Sequence, residues 1–443
     1  MALMGILIIL LQMHAVGATA TLAKHSTRAA LDANLIPRID LRRPAAKLVQ
    51  DLQKAAAADG PGFFYLVNHG IPETVFDNTI REARKFHTLS ASKKLQLSAV
   101  GYGGGHGSTK GYVPPNTEGS YAKDTSDVRP EVEQASGKPN TRESLVFRYP
   151  EEQNVSKELY CIDYDRFLHA IATEASNSSR GDVPLRLSHA GDKLIPMSEV
   201  AAAARRFFLP NRWPDDGDLP DFRAATESYF QEMRRLAYRM FHLFSEVLKE
   251  QHSTVVTETV FRSINSSTSL PHDKAMVTYN MVRYPPSSAG DDAFGIADHT
   301  DWEAFTLLYP TYLHDKHLDW FETQHSMVNG TSDGGLRQEG NPNIDPASGI
   351  AFTGLEVWFR DRWVAVPHVP GAIIVNQGEM LSRLSGGMLK APVHRVLAHN
   401  DFERYSLVSF WAPNYDAVLP DSEHDGGWVA AGEHYLRRNG LFG

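Results

Sequence analysis

Two stretches of this chain carry residue types that bind metals and carboxylates at suggestive spacings. In "ADHTDWEAFTLLYP", residues 297–310, His299 and Asp301 stand two apart just ahead of an apolar run. Phe305, Leu307 and Tyr309 alternate with Thr306, Leu308 and Pro310, the pattern of a largely buried strand. Residues i and i+2 of a strand point to one face, so the spacing predicts an imidazole and a carboxylate projecting side by side. An isolated H-x-D is more often a polar pair near a turn, and a metal site needs a third ligand.

The second stretch, "LKAPVHRVLAHNDFERYSLVSFWAP" (389–413), supplies one. His394 falls in a predicted strand, residues 399–402 in a turn, and Arg404 and Ser406 in the returning strand. A hairpin pairing position 394 with 404 or 406 would put these side chains on one face. Two imidazoles and one carboxylate leave about three adjacent positions open on an octahedral metal, the pattern of non-haem Fe(II) oxygenases. Arg404 and Ser406 would sit beside the metal, where a cation and a hydroxyl can hold a carboxylate. A hydrolytic zinc site also fits the ligand set. It leaves Arg404 and Ser406 unexplained and lacks an obvious general base.

Composition limits what must position these residues. A chain of 443 residues, 42% hydrophobic and 22% charged, can bury a large core. A net charge of -9 and the lack of any basic run argue against a nucleic-acid binder. Cys161, the single cysteine, rules out an intrachain disulfide framework and a thiolate metal cluster. Residues 1–20 hold "LMGILIILLQM" and then "AVGATA", the pattern of a signal peptide cleaved after Ala20, and the run is too short for an ordinary membrane span. Sequons at Asn154, Asn177, Asn265 and Asn329 agree with secretion. A lone cysteine and the absence of Lys or Arg before the apolar run argue for a cytosolic enzyme. The balance leans slightly to the secretory pathway.

From Pro37 the pattern predicts a short strand, a helix over 45–58, a buried strand at 63–67 and a helix over 72–89, followed by a Gly/Ser/Pro/Thr-rich loop over 99–142. Residues 37–150 are thus expected to form an N-terminal α/β region. Residues 151–268 form a helical region dominated by a long amphipathic helix at 219–251, whose Met and aromatic stripe reads as core. Residues 269–415 read as short strands separated by Pro/Gly turns, the mark of a sandwich, jelly roll or barrel, with an insert at 311–350. Residues 416–443 are expected as a helical tail. His314, His317 and His325 in the insert are best read as solvent-facing, His69 as serving a turn, and Trp302 and Phe305 as packing. His272 and His368 suggest no partner.

At this point the chain resembles the Fe(II)- and 2-oxoglutarate-dependent dioxygenases related to isopenicillin N synthase. The matching stretches include "IPRIDL", "DGPGFFYLVNHGIP", "RESLVFR", "VRYPP", "HTD", "VPGAIIVNQGEMLSRLSGG", "LKAPVHRV" and "ERYSLVSFWAPNYDAVL". "AAGEHYLRRNG" looks like the family's final helix. The resemblance runs from residue 37 almost to the end, except for roughly 150–200 and 311–350. It implies an α+β fold: a distorted double-stranded β-helix (jelly-roll) core with surrounding helices, including the long helix before the barrel. It implies His299, Asp301 and His394 as iron ligands, Arg404 and Ser406 as the R-x-S that holds the distal carboxylate of 2-oxoglutarate, and Tyr284 as the tyrosine that assists. The implied reaction couples oxidative decarboxylation of 2-oxoglutarate to O2-dependent oxidation of a small organic substrate, and a monomer is the default assembly. Two departures stand out. The 93 positions between Asp301 and His394 (394 − 301) exceed the usual spacing because of the insert, and Val282 stands where many plant members have asparagine. The alternatives are an isopenicillin N synthase-like oxidase using Fe(II) and O2 without 2-oxoglutarate, and a silent relative. All five of His299, Asp301, His394, Arg404 and Ser406 being present argues against silence.

Overall fold

The structure, a computed structural model, describes residues 35–98, 111–115, 141–148, 189–190, 193–194, 211–249, 275–286, 294–312, 352–398, 403–414, 418–421, 427–431 and 434. In chain order the elements begin with β1 (Arg38–Asp40), α1 (Ala45–Ala56), β2 (Phe63–Val67), α2 (Glu73–Thr88), α3 (Ala91–Leu95), β3 (Gly111–Val113) and β4 (Glu143–Arg148). A small ribbon, β5 (His189–Ala190) and β6 (Lys193–Leu194), and the long helix α4 (Phe222–Lys249) follow. Then come β7 (Ala275–Tyr284), β8 (Phe294–His299), β9 (Phe305–Tyr312), β10 (Phe352–Phe359), β11 (Arg362–Pro367), β12 (Ile373–Gln377), α5 (Glu379–Leu384), β13 (His394–Leu397) and β14 (Arg404–Asn414). β15 (Val418–Asp421) and β16 (Gly427–Ala430) end the series.

An eight-stranded sheet in the order β1-β2-β12-β9-β14-β7-β4-β3 faces a four-stranded sheet in the order β11-β10-β13-β8, the two layers of the expected jelly roll. The larger sheet is apolar on both faces, and alternation along its strands sorts side chains between two cores. Phe305, Leu307, Tyr309, Tyr279, Met281, Leu407 and Trp411 pack against the helices in one cluster. Leu308, Ile374, Val282, Tyr284 and Val408 face the smaller sheet in the other. α4 contributes Tyr229, Met233, Leu236, Met240 and Phe244, all buried at helical spacing. The aromatic joints are close: Phe76 of α2 stacks on Tyr309 with centroids 3.9 Å apart, and Phe241 meets Phe305 at 4.7 Å. Each such pair contributes about 0.5–1.5 kcal/mol beyond the area it buries.

Several expectations change. The strand and hairpin geometry proposed for the site is replaced: β13 pairs with β8 and β10, whereas β14 pairs with β7 and β9, so His394 and Arg404 belong to different sheets. Asp301 lies outside any strand, in the β8–β9 turn, two residues after β8 ends. β10 and β11 form a hairpin turned at Arg360 and Asp361, both at positive φ (51° and 58°). β1 to β4 extend the same sheet that β7, β9, β12 and β14 build, so the described strands of residues 37–150 belong to the core layer. The tail begins with the antiparallel β15–β16 pair, and of its remaining residues only Ala431 and His434, both buried, are described. The signal segment, Cys161, the four sequons, His272, His314, His317 and His325 fall outside the described residues. Among those described, no helix is long and apolar enough to cross a membrane.

Candidate active site

β8, the β8–β9 turn and β13 bring His299, Asp301 and His394 together. One ligand atom from each lies within 4.8 Å of the others, and no other such group of His, Cys, Asp and Glu occurs among the described residues. His299 and His394 are direct cross-strand partners on β8 and β13, with ring centroids 4.2 Å apart. Their Nε2 atoms lie 3.6 and 3.7 Å from Asp301 Oδ1. Each ring's Nδ1 meets a carbonyl two residues back, His299 at Ala297 O (2.8 Å) and His394 at Pro392 O (3.1 Å). An Nδ1–H donating to those carbonyls leaves each Nε2 with its lone pair facing the shared point, the tautomer a metal requires.

Asp301 is held from behind. Thr306 Oγ1 on β9 and Asn376 Nδ2 on β12 (2.6 Å) both donate to Oδ2, which turns Oδ1 to the imidazoles. The neighbouring-strand pair Asn376↔Thr306 puts both donors in one row of the larger sheet. Burial, then the neighbouring His394, push the His299 imidazole down to about 3, so it is neutral near pH 7. Burial would raise Asp301, but the facing imidazoles and the bonds from Thr306 and Asn376 hold it below the ordinary carboxylate range. Glu303, two residues on, is driven up to about 8 by burial and by the charge of Asp301. This donor set of two neutral imidazoles and an ionised carboxylate, anchored on one side and open on the other, fits a divalent transition metal.

A second group forms on β7 and β14. Arg404 and Tyr284 are cross-strand partners, and the guanidinium lies 4.2 Å from the centroid of the Tyr284 ring. Arg404 Nη2 donates to Leu397 O at 2.9 Å, and Ser406, two residues along, shares its face. All three are buried. The smaller sheet makes room for them with glycines: a Cβ on Gly354 would lie 2.5 Å from Arg404 Nη1, and one on Gly295 would lie 2.8 Å from the Tyr284 ring. The face opposite carries a buried charge network. Glu143 accepts from Lys94 Nζ (2.9 Å), Tyr112 OH (2.5 Å) and Arg283 Nη1 (2.5 Å), and Arg283 also pairs with Glu403. Burial opposes ionisation of Glu143, but its hydrogen-bonding partners, His87 among them, keep the carboxyl ionised well below the usual range.

The residues expected at the site therefore fall into two groups, His299, Asp301 and His394 in one and Arg404, Ser406 and Tyr284 in the other. Thr306, Asn376, Glu143 and Arg283 were not anticipated. Asn376 had a signal, an amide inside the apolar run "AIIVNQG" where a buried polar group must be bonded. His69 serves its turn as expected, its Nδ1 accepting from Ile71 N at 3.1 Å. Phe305 is fully buried packing, and His368 is buried with its imidazole pushed down to about 4 by desolvation.

Known proteins resemble this chain in sequence and in fold. Residues 36–161 match the family model of the N-terminal region of non-haem dioxygenases in morphine synthesis, and residues 348–413 match that of the 2OG-Fe(II) oxygenase superfamily. The second match spans His394, Arg404 and Ser406. The 2-oxoglutarate-dependent dioxygenase citB of Monascus ruber is 25% identical over 89% of both chains. Gibberellin 2-beta-dioxygenase 8 of Arabidopsis thaliana is 27% identical over 62% of this chain and 59% of its own. In fold, the chain is similar to a full-length Neurospora crassa protein solved in complex with alpha-KG and thymine (TM-score 0.55, 17% identity, covering 91% of this chain and 96% of the other). Isopenicillin N synthase is a superfamily relation only. By these matches the chain is a relative of the Fe(II)- and 2-oxoglutarate-dependent dioxygenases.

Proposed function

We propose that His299, Asp301 and His394 hold the Fe(II) of this dioxygenase and that Arg404, assisted by Ser406 and Tyr284, holds the distal carboxylate of 2-oxoglutarate. The observation that carries the reading is the convergence of both Nε2 atoms on Asp301 Oδ1 within 3.7 Å while Oδ2 is tied back by Thr306 and Asn376. When bound, the iron supplies the activation of O2 that couples decarboxylation of 2-oxoglutarate to oxidation of the organic substrate. The chain's own residues do the positioning. The Ala297 and Pro392 carbonyls fix the imidazole tautomers, and Thr306 and Asn376 fix which carboxylate oxygen faces the metal. The Arg404 fork offers two parallel donors to a carboxylate in a buried setting where a lysine offers a point charge. Small-molecule substrates are typical of the family, and a small organic molecule is the substrate proposed here; hydroxylation, desaturation and ring closure are all open to this site.

The test is an anaerobic titration of the purified protein with Fe(II) and then 2-oxoglutarate. A metal-to-ligand charge-transfer band should appear with one equivalent of each. Full substrate oxidation without 2-oxoglutarate would replace this reading by an oxidase whose Arg404 anchors the substrate's own carboxylate.

A further inference from the structure

We infer that Glu379 is a positioning residue for the metal centre, holding the turn between His299 and Asp301 through Thr300 and joining it through His434 to the C-terminal tail. The inference rests on the proposed function and adds a residue that acts on the ligands without touching the metal. Thr300 stands between the two ligands, buried at 8% exposure, and its Oγ1 donates to Glu379 Oε1 at 2.7 Å. Rotation about the two soft dihedrals of Thr300 would swing His299 and Asp301 relative to each other. A hydroxyl tied in place fixes the angle between them.

The tie extends a grip on the backbone. Four consecutive carbonyls of the β8–β9 turn accept from N–H groups at the start of α5. Glu379 N donates to Asp301 O and Gly378 N to Ala304 O, both at 2.8 Å, and Met380 N reaches Trp302 O (3.3 Å) and Glu303 O (3.2 Å). The approach is so close that a Cβ on Gly378 would lie 2.1 Å from Glu303 O. These bonds hold residues 301–304, and none of them reaches Thr300. The Glu379 side chain carries the grip one residue further, towards His299.

The other carboxyl oxygen of Glu379 faces the tail. His434 Nε2 lies 3.9 Å from Glu379 Oε2, and His434 is 4% exposed. Three residues earlier Ala431 is fully buried in the helix-side core, and β15 packs against α5. Displacement of the tail is therefore transmitted to the ligand turn through the Glu379 carboxyl group.

The experiment uses Co(II), an air-stable stand-in for Fe(II), on the full chain. Its dissociation constant is measured by equilibrium dialysis, and its visible d–d bands report ligand geometry. Glu379→Ala and Thr300→Val should each weaken Co(II) binding about tenfold and shift the bands, the cost of removing a group that orients a ligand. Glu379→Gln and Thr300→Ser keep an acceptor and a hydroxyl and should restore both readings. His434→Ala should weaken Co(II) binding severalfold in the otherwise unmodified protein and add nothing in the Glu379→Ala background. Unchanged affinity and bands in Thr300→Val, a near-isosteric change, would overturn the inference. Additive losses for His434 and Glu379 would overturn the link to the tail. Failure of the underlying reading shows separately: Co(II) affinity would then be unaffected by His394→Ala.

Discussion

At the proposed metal end, each side chain is fixed by hydrogen bonds from or to uncharged backbone, hydroxyl or amide groups close by, whereas at the Arg404 end the side chains are stacked and braced by charges on the reverse of the sheet. His299 and His394 take their tautomers from carbonyls two residues away, and Asp301 is tied by a threonine and an asparagine. Arg404 and Tyr284 instead lie back to back with Arg283 and Glu403, their chain neighbours, which pair on the other face and join Glu143. The difference follows from charge. A site for a dication is best served by neutral or anionic groups, and the groups bonded to its proposed ligands are uncharged. A site for a carboxylate keeps a buried guanidinium, and a nearby charge-paired network fixes the register that delivers it.

The largest effect should come from the ligands. His299→Ala, Asp301→Ala or His394→Ala abolishes activity and lowers iron affinity sharply, with the fold kept because both cores are apolar. Stoichiometric iron in the His394 variant would sink the assignment. Next, Arg404→Ala should raise the KM for 2-oxoglutarate by about 30-fold to several-thousand-fold, equivalent to roughly 2–5 kcal/mol for a lost buried charge partner. Ser406→Ala and Tyr284→Phe should raise it modestly. Iron content, measured by metal analysis, should be unchanged in all three, which separates the two ends.

Asn376→Ala tests the neutral support. It should lower iron affinity by about 10- to 100-fold, the usual cost of removing a group that orients a ligand, and leave the affinity for 2-oxoglutarate on the iron-loaded protein unchanged. Glu143→Gln is its counterpart at the other end. It should lower the melting temperature and weaken 2-oxoglutarate binding severalfold while iron binding stays intact. Equal losses of iron in the two variants would erase the distinction between the ends.

The smallest effect is a pH dependence of the metal-free protein. The folded His299 pKa lies below the unfolded value and Asp301 is likewise lowered, so the unfolded chain binds more protons. The histidine's contribution is fully present above pH ~6.5 and is lost as pH falls from there towards about 3, with Asp301 adding its loss below pH ~4. Urea unfolding of the metal-free protein between pH 7 and 4 reads this directly, and His299→Gln should flatten the upper part of the slope. A slope of the opposite sign would mean that His299 is charged in the folded state.

Local pattern was enough to predict β2, α1, α2 and α4, because long apolar periodicities are decided by neighbours one or two turns apart. It also picked out the six residues proposed to act, since H-x-D, a late histidine and R-x-S are signatures in residue type. It put Asp301 on a strand with His299, whereas β8 ends at His299 and pairs with β13. It also joined His394 and Arg404 into one hairpin, because adjacency in sequence is the only guide to pairing before the sheets exist. The sequence by itself singled out the side chains proposed to carry the chemistry. Only the tertiary structure decided that His394 pairs with His299 while Arg404 pairs with Tyr284 in the other sheet, and that Asn376 and Thr306 hold Asp301 from behind. Those choices depend on contacts between strands far apart in the chain, and their energies arise only once two apolar faces have closed on each other.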